Sequence, residues 1–226
     1  MPNWTNNKII GKREILEQFL SPNKEFDFNK LIPMPEELKL EAGGIENEAV
    51  VAYYLSLDEQ QQKALKDELS LKEYHYYSIY SYAEVYLSQN AIQLAKKRNP
   101  DGFPTEYVGI GLKYISNIRK YGWSQWYDWC CANWGTKWNS TDTHVSEVNE
   151  DGNIVIEFAT AWSEPFGIII KLAEYFNDGE FHWEYQNEDP DPTTIHIVEK
   201  VNGKIVEILE SEEEYENFLE GSAALS

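Results

Sequence analysis

The chain has 226 residues, 42% of them hydrophobic and 26% charged, which is enough apolar material for a real core and typical of a globular protein. Its formal charge of -20 opposes binding of nucleic-acid phosphates or an anionic membrane by the surface as a whole. The charge is uneven: residues 121–226 hold 4 basic and 22 acidic side chains, whereas residues 1–120 hold 15 and 17. Such asymmetry between halves says more than the total.

The opening MPNWTNNKIIGKRE has no apolar stretch of a secretion signal, and no segment approaches the ~18 apolar residues of a membrane span. The expectation is a cytoplasmic protein with no membrane partner. The two cysteines, Cys130 and Cys131, are adjacent, where a disulfide would be strained, and read as reduced thiols.

Trp4 to Ile10 reads as a strand ending at Gly11. Residues 12–20 place Ile15, Leu16, Phe19 and Leu20 at helical spacing, and Ser21-Pro22-Asn23 stops them. Ile32-Pro33-Met34-Pro35 is extended, because residues before proline avoid the helical region. Beyond it the periodicity predicts helices over 47–55 and 58–69 and a long third helix over 74–98. In that third tract Tyr76, Ile79, Tyr80, Ala83, Leu87 and Leu94 form a packing face. Asn99-Pro100-Asp101-Gly102 is a break, followed by helix over 106–134, interrupted near Gly122.

From 145 the pattern becomes that of strands. Val145–Val148 and Asn153–Thr160 flank a hairpin loop at 149–152. Ser163 is placed to cap a helix that carries Ile168, Ile169, Leu172, Ala173 and Phe176 inward. Phe181, Trp183 and Tyr185 then alternate with Glu180, His182, Glu184 and Gln186, a strand with one buried and one wet face. Thr193–Val201 and Lys204–Leu209 flank Asn202-Gly203, a strong hairpin signal, and an acidic tail with a short helix closes the chain. This order predicts an α+β fold: one mainly antiparallel sheet, a helix on each side of it, and a helical insertion at 36–120. The expected domains are 1–35 with 121–209, the insertion 36–120, and the tail 210–226.

Three segments carry a resemblance: MPNWTNNKIIG at 1–11, YGWSQWYDWCCANWGTKWN at 121–139, and AWSEPFGIIIKLAEYFNDGEFHWEYQNE at 161–188. The spacing W-x2-W-x2-W-C-x3-W with the F-x-W-E-Y strand resembles the Api92-like family, also called YubB-like, whose C-terminal part is ferredoxin-like. The chain departs from that pattern after Glu188, where Asp189-Pro190-Asp191-Pro192 replaces a glycine-containing return strand. The resemblance implies a ferredoxin-like sheet with helices packed on it and an origin in a phage, plasmid or other mobile element. It implies no activity.

No catalytic constellation, phosphate loop or dinucleotide fingerprint stands out. His182 with Glu184, and Asp142 with His144, are two-ligand pairs lacking a third metal ligand, so neither metal nor cofactor is expected. Trp123, Trp126 and Trp129 read mainly as core, with a groove for a ligand or RNA as the alternative; Lys137 is the only cation in that segment to accompany base stacking. The acidic residues Glu184, Glu188, Asp189, Asp191, Glu212, Glu213 and Glu214 are either a solvated face or a partner-binding surface. The functional expectation is a non-enzymatic inhibitor or decoy, anti-CRISPR-like or otherwise anti-defence. Its partner would be a host protein with a basic nucleic-acid-binding surface.

Overall fold

The computed structural model describes residues 3–74, 79–188 and 194–211, with side chains through 207. In chain order, β1 (Trp4–Lys12) leads into a short α1 (Arg13–Leu16). Then come α2 (Gly44–Ser56), α3 (Glu59–Ser70), α4 (Tyr82–Leu87), α5 (Gln89–Arg98), α6 (Thr105–Tyr121) and α7 (Trp126–Asn133). They are followed by β2 (Thr141–Val145), β3 (Asn153–Ala161), α8 (Phe166–Ala173), β4 (His182–Asn187), β5 (Thr194–Val201) and β6 (Lys204–Ser211). The chain divides into two compact units, Met1–Pro33 with Cys130–Ser226, and Met34–Trp129. The helical insertion, expected to end at 120, thus runs to Trp129. The acidic tail expected from 210 starts inside β6, and 212–226 lie outside the described residues.

In the first unit the sheet order is β2-β3-β1-β4-β5-β6, with every neighbouring pair antiparallel. Strands β1 to β4 with α1 and α8 trace the split β-α-β-β-α-β path of a ferredoxin-like fold, and the β5–β6 hairpin widens the sheet beyond β4. Alternation in β1 turns Thr5, Asn7, Ile9 and Gly11 to the core. A Cβ at Gly11 would lie 2.7 Å from the Phe176 ring and 3.4 Å from Leu16, so the bare backbone is what lets both helical segments close on the strand. Both therefore pack on the same face, which corrects the expected helix on each side: the inward residues of β1, β3 and β4 share one face, and the apolar stripes of both helices have only that face to cover. Phe26, Phe158 and Trp183 interlock at ring separations of 5.1–6.3 Å. The fully buried indole of Trp183 donates to Asn7 at 3.2 Å, and Asn7 donates to Thr160 at 2.9 Å, so no polar atom of this trio is stranded.

The turns follow their residues. Asn149 Oδ1 accepts from the amides of Asp151 and Asn153, closing the β2–β3 connection. Asn202 and Gly203 both hold positive φ, as a two-residue hairpin requires, and Asp178 accepts from the Gly203 amide at 2.9 Å. One expected cap differs: the Ser163 hydroxyl donates to the Gly135 carbonyl at 2.6 Å, and α8 starts after Pro165 with no side-chain cap. The competing carbonyl lies close because Gly167 packs directly on the 133–134 backbone, where a Cβ would sit 2.0 Å from the Asn133 oxygen.

The second unit is helical. At its centre a Cβ on Gly111 of α6 would come within 2.1 Å of the Ala49 carbonyl of α2, so the two helices are in backbone contact. Around them Val50, Leu65, Leu69, Leu87, Ile115 and Ile118 form a continuous core. The single helix expected over 74–98 is two. Ser81 forms a capping box with Glu84 and opens α4, and the Ser88 hydroxyl accepts from the Ala91 amide to open α5. Restarting the helix at Tyr82 resets the phase: Tyr82 and Tyr86 point inward, while Ile79, Tyr80 and Leu94 are exposed and only Ala83 and Leu87 of the expected face are buried, Tyr76 lying outside the described residues.

Candidate functional site

The sheet face opposite the helices carries a cleft of about 580 Å³, lined among others by Trp4, Lys8, Asp142, His144, Glu157 and Glu184. Register explains this gathering. Lys8 at the centre of β1 lies opposite Glu157 of β3 on one side and Glu184 of β4 on the other. Its ammonium turns to Glu184, 3.0 and 3.2 Å from the two carboxylate oxygens. His182, two residues before Glu184 and on the same face, places Nε2 2.8 Å from Glu184 and Nδ1 3.4 Å from Glu199. Burial pulls the imidazole pKa down, but the carboxylates of Glu184 and then Glu199 outweigh it and leave it above the ordinary histidine value. Glu184 is only 7% exposed and is held by the Lys8 ammonium and the His182 imidazole.

Strand β2 completes the cleft through an irregularity. Its pairing shifts between Thr141 and His144, and Asp142 sits there at φ 52°. Three steps along β2 match two along β3, so Asp142 and His144 both line the cleft beside Glu157. The side chains of Asp142, His144 and Glu157 make no hydrogen bond or ion pair among the described residues, unlike those of Lys8 and Glu184. No group of three or more His, Cys, Asp or Glu among the described residues is arranged to hold a metal ion.

Of the residues singled out in the sequence, Glu184 lies in the cleft floor rather than on a fully wet face. Glu188 is exposed and accepts from the Trp4 amide at 2.8 Å. Asp189, Asp191, Glu212, Glu213 and Glu214 lie outside the described residues. Trp129 is 7% exposed, and Trp123 and Trp126 are half-buried. Cys130 and Cys131 form no disulfide, and burial, with Cys131 adding, pushes the Cys130 thiol up to about 12. Trp4, Lys8 and Glu157 had not been singled out. For Glu157 a signal exists, the lone charge in the mainly apolar NIVIEFATA; for Lys8 none does, because its partner is 176 residues away.

A second polar cluster lies in the helical unit. The Tyr86 hydroxyl donates to Glu46 and stands 3.3 Å from Ser124. Burial raises the Glu46 pKa to about 7; hydrogen bonds from Ser124 and Tyr86 oppose the shift, and the charge of Asp128 adds to it.

No helix is long and apolar enough to cross a membrane among the described residues. No curated protein matches the sequence. The crystal structure of a protein api92 from Yersinia pseudotuberculosis is similar at 11% identity, over 94% of this chain and 95% of that one, with a TM-score of 0.30. Residues 133–224 match the family model described as the ferredoxin-like domain in Api92-like protein, a stretch that holds β2 to β6 and the whole of the third resembling segment, 161–188. Residues 133–224 are therefore a ferredoxin-like domain of the Api92-like kind, whose sheet takes β1 into its middle.

Proposed function

We propose that this protein works by binding and not by catalysis, presenting the uncovered face of its ferredoxin-like sheet to a basic surface of a host protein. One observation carries the reading. The cleft on that face has Lys8 as its one lysine or arginine among the described residues, and Glu184 neutralises it, which leaves Asp142 and Glu157 unpaired. The sequence from 121 to 226, with 22 acidic and 4 basic residues, carries the same sign. Such a surface steers and holds a positively charged partner, with an affinity that falls as salt rises. A cytoplasmic protein of a phage or other mobile element would meet such a surface on a host nucleic-acid-processing or defence protein, whose nucleic-acid groove it would occupy as an inhibitor or decoy, in an anti-CRISPR-like or other anti-defence role.

The alternative, a tryptophan-lined groove for RNA or a small ligand, has less support, since Trp129 is buried. The test is capture from host lysate by the tagged full chain at low and moderate salt, repeated with Asp142→Lys/Glu157→Lys and with Glu212, Glu213 and Glu214 changed to Lys. A basic protein retained at low salt, released at moderate salt and lost with the sheet-face variant is expected. Retention unaffected by both charge reversals defeats the reading.

A further inference from the structure

The cleft is a more specific object than an acidic surface. Its volume of about 580 Å³ lies within the about 300–1,000 Å³ of sites for organic ligands and is far larger than a lone ion needs. Its floor is preset: Glu184 is more than nine-tenths buried and locked between Lys8 and His182, so it adds no net charge. Two carboxylates remain uncompensated, Asp142 and Glu157, from adjacent strands. Asp142 reaches the cleft only because β2 carries a bulge with this residue in the left-handed region, a local cost that a regular strand would not incur. The remaining walls include the indole of Trp4 and the aliphatic Ile195.

A fixed metal is a poor match to this set, since the described residues supply no group of three ligands. An organic cation on an apolar stem matches the two free carboxylates and the indole. Carboxylates on two sides suit the planar fork of a guanidinium, and an indole suits its face and its stem. Resting on the binding function proposed above, we infer that the cleft seats one arginine side chain of the basic partner, its guanidinium between Asp142 and Glu157 and its stem toward Trp4.

The experiment uses the full chain and a short glycine-serine peptide bearing a single arginine, followed by calorimetry and by NMR of the Trp4 indole and the Asp142 and Glu157 amides. The same peptide with citrulline, and agmatine as a free guanidinium, are the comparison probes. The arginine peptide is expected to shift those resonances, the citrulline peptide to bind at least tenfold more weakly, and Asp142→Asn/Glu157→Gln to cost at least tenfold. Glu150→Gln, in the exposed β2–β3 loop outside the cleft, is expected to change affinity less than twofold, and dispersed spectra check that each variant is folded. Equal binding of arginine and citrulline, or unchanged affinity in the double variant, overturns the seat. Agmatine binding as tightly as the peptide overturns a partner-borne side chain in favour of a small free cation. Salt-dependent partner capture that survives Asp142→Asn/Glu157→Gln removes the seat and leaves the broader binding function standing; peptide binding without any partner capture does the reverse.

Discussion

Glu46 in the helical unit and Glu184 in the sheet unit are both withdrawn from water, 5% and 7% exposed, yet their surroundings differ in kind. Around Glu46 stand hydroxyls, from Tyr86 and Ser124, with the like charge of Asp128 nearby. Around Glu184 stand Lys8 and His182. A hydroxyl offers one hydrogen bond and no charge, so burial prevails and Glu46 takes up a proton near neutrality. An ammonium and an imidazole compensate charge directly, so Glu184 in turn raises its histidine partner. Depth alone does not decide how a buried acid behaves; the sign of what surrounds it does.

The largest expected effect tests the Glu46 half. Its pKa rises from 4.5 to about 7 on folding, so the stability it contributes is complete below about pH 4.5 and is lost as pH climbs to 7. The loss amounts to about 3 kcal/mol at 1.36 kcal/mol per unit. Glu46→Gln should abolish that slope in urea denaturation and make the protein more stable than the parent at pH 8, with little difference at pH 4.5. A parent curve that is flat from pH 4.5 to 7 contradicts the assignment.

Next is Lys8→Met, which leaves Glu184 buried without its lysine. Breaking a buried pair costs about 3–5 kcal/mol, and because the lysine side chain is 31% exposed the expected loss is about 2 kcal/mol, read as reduced hydrogen-exchange protection of β1 and β4. Tyr86→Phe should then cost about 1–1.5 kcal/mol at pH 6, the worth of one buried hydrogen bond, and more above pH 7 where Glu46 ionises. The smallest effect is that of His182→Gln. The raised histidine contributes stability that is complete below its unfolded value of about 6.5 and disappears as pH rises through its folded value. The variant should lack that decline, a change within about 1 kcal/mol, visible as a difference between the two unfolding curves above pH 6.5.

Local chemistry was the legible part of this molecule. The alternation of Phe181, Trp183 and Tyr185, the inward stripe of α8 and the Asn202-Gly203 turn each depend on neighbours in sequence, and each stands where periodicity put it. Alternation identifies faces and not depth, however, so Glu184 read as a wet residue; its burial depends on Lys8, brought across by the β1–β4 register. The tyrosine tract failed for a related reason. A helical period fits several phases, and the two serine caps at 81 and 88 chose another one. The bulge at Asp142 leaves no sequence trace, because what sets it is the mismatch in pairing with β3. The sheet face as a binding surface was legible in sign, from the acidic excess, but not in the identity of its unpaired carboxylates.

One hydrogen bond bears on how such a chain can change. The Trp134 indole donates to the Ile32 carbonyl at 2.9 Å, joining the points where the polypeptide leaves the sheet unit and comes back to it. Whatever lies between hangs from a clasp that the sheet unit closes by itself. Lengthening, shortening or exchanging the intervening segment then alters a loop whose ends are already fixed, and the entropy of loop closure grows only slowly with its length. The ferredoxin-like sheet can thus act as a mount whose cargo is replaceable without respacing a single strand.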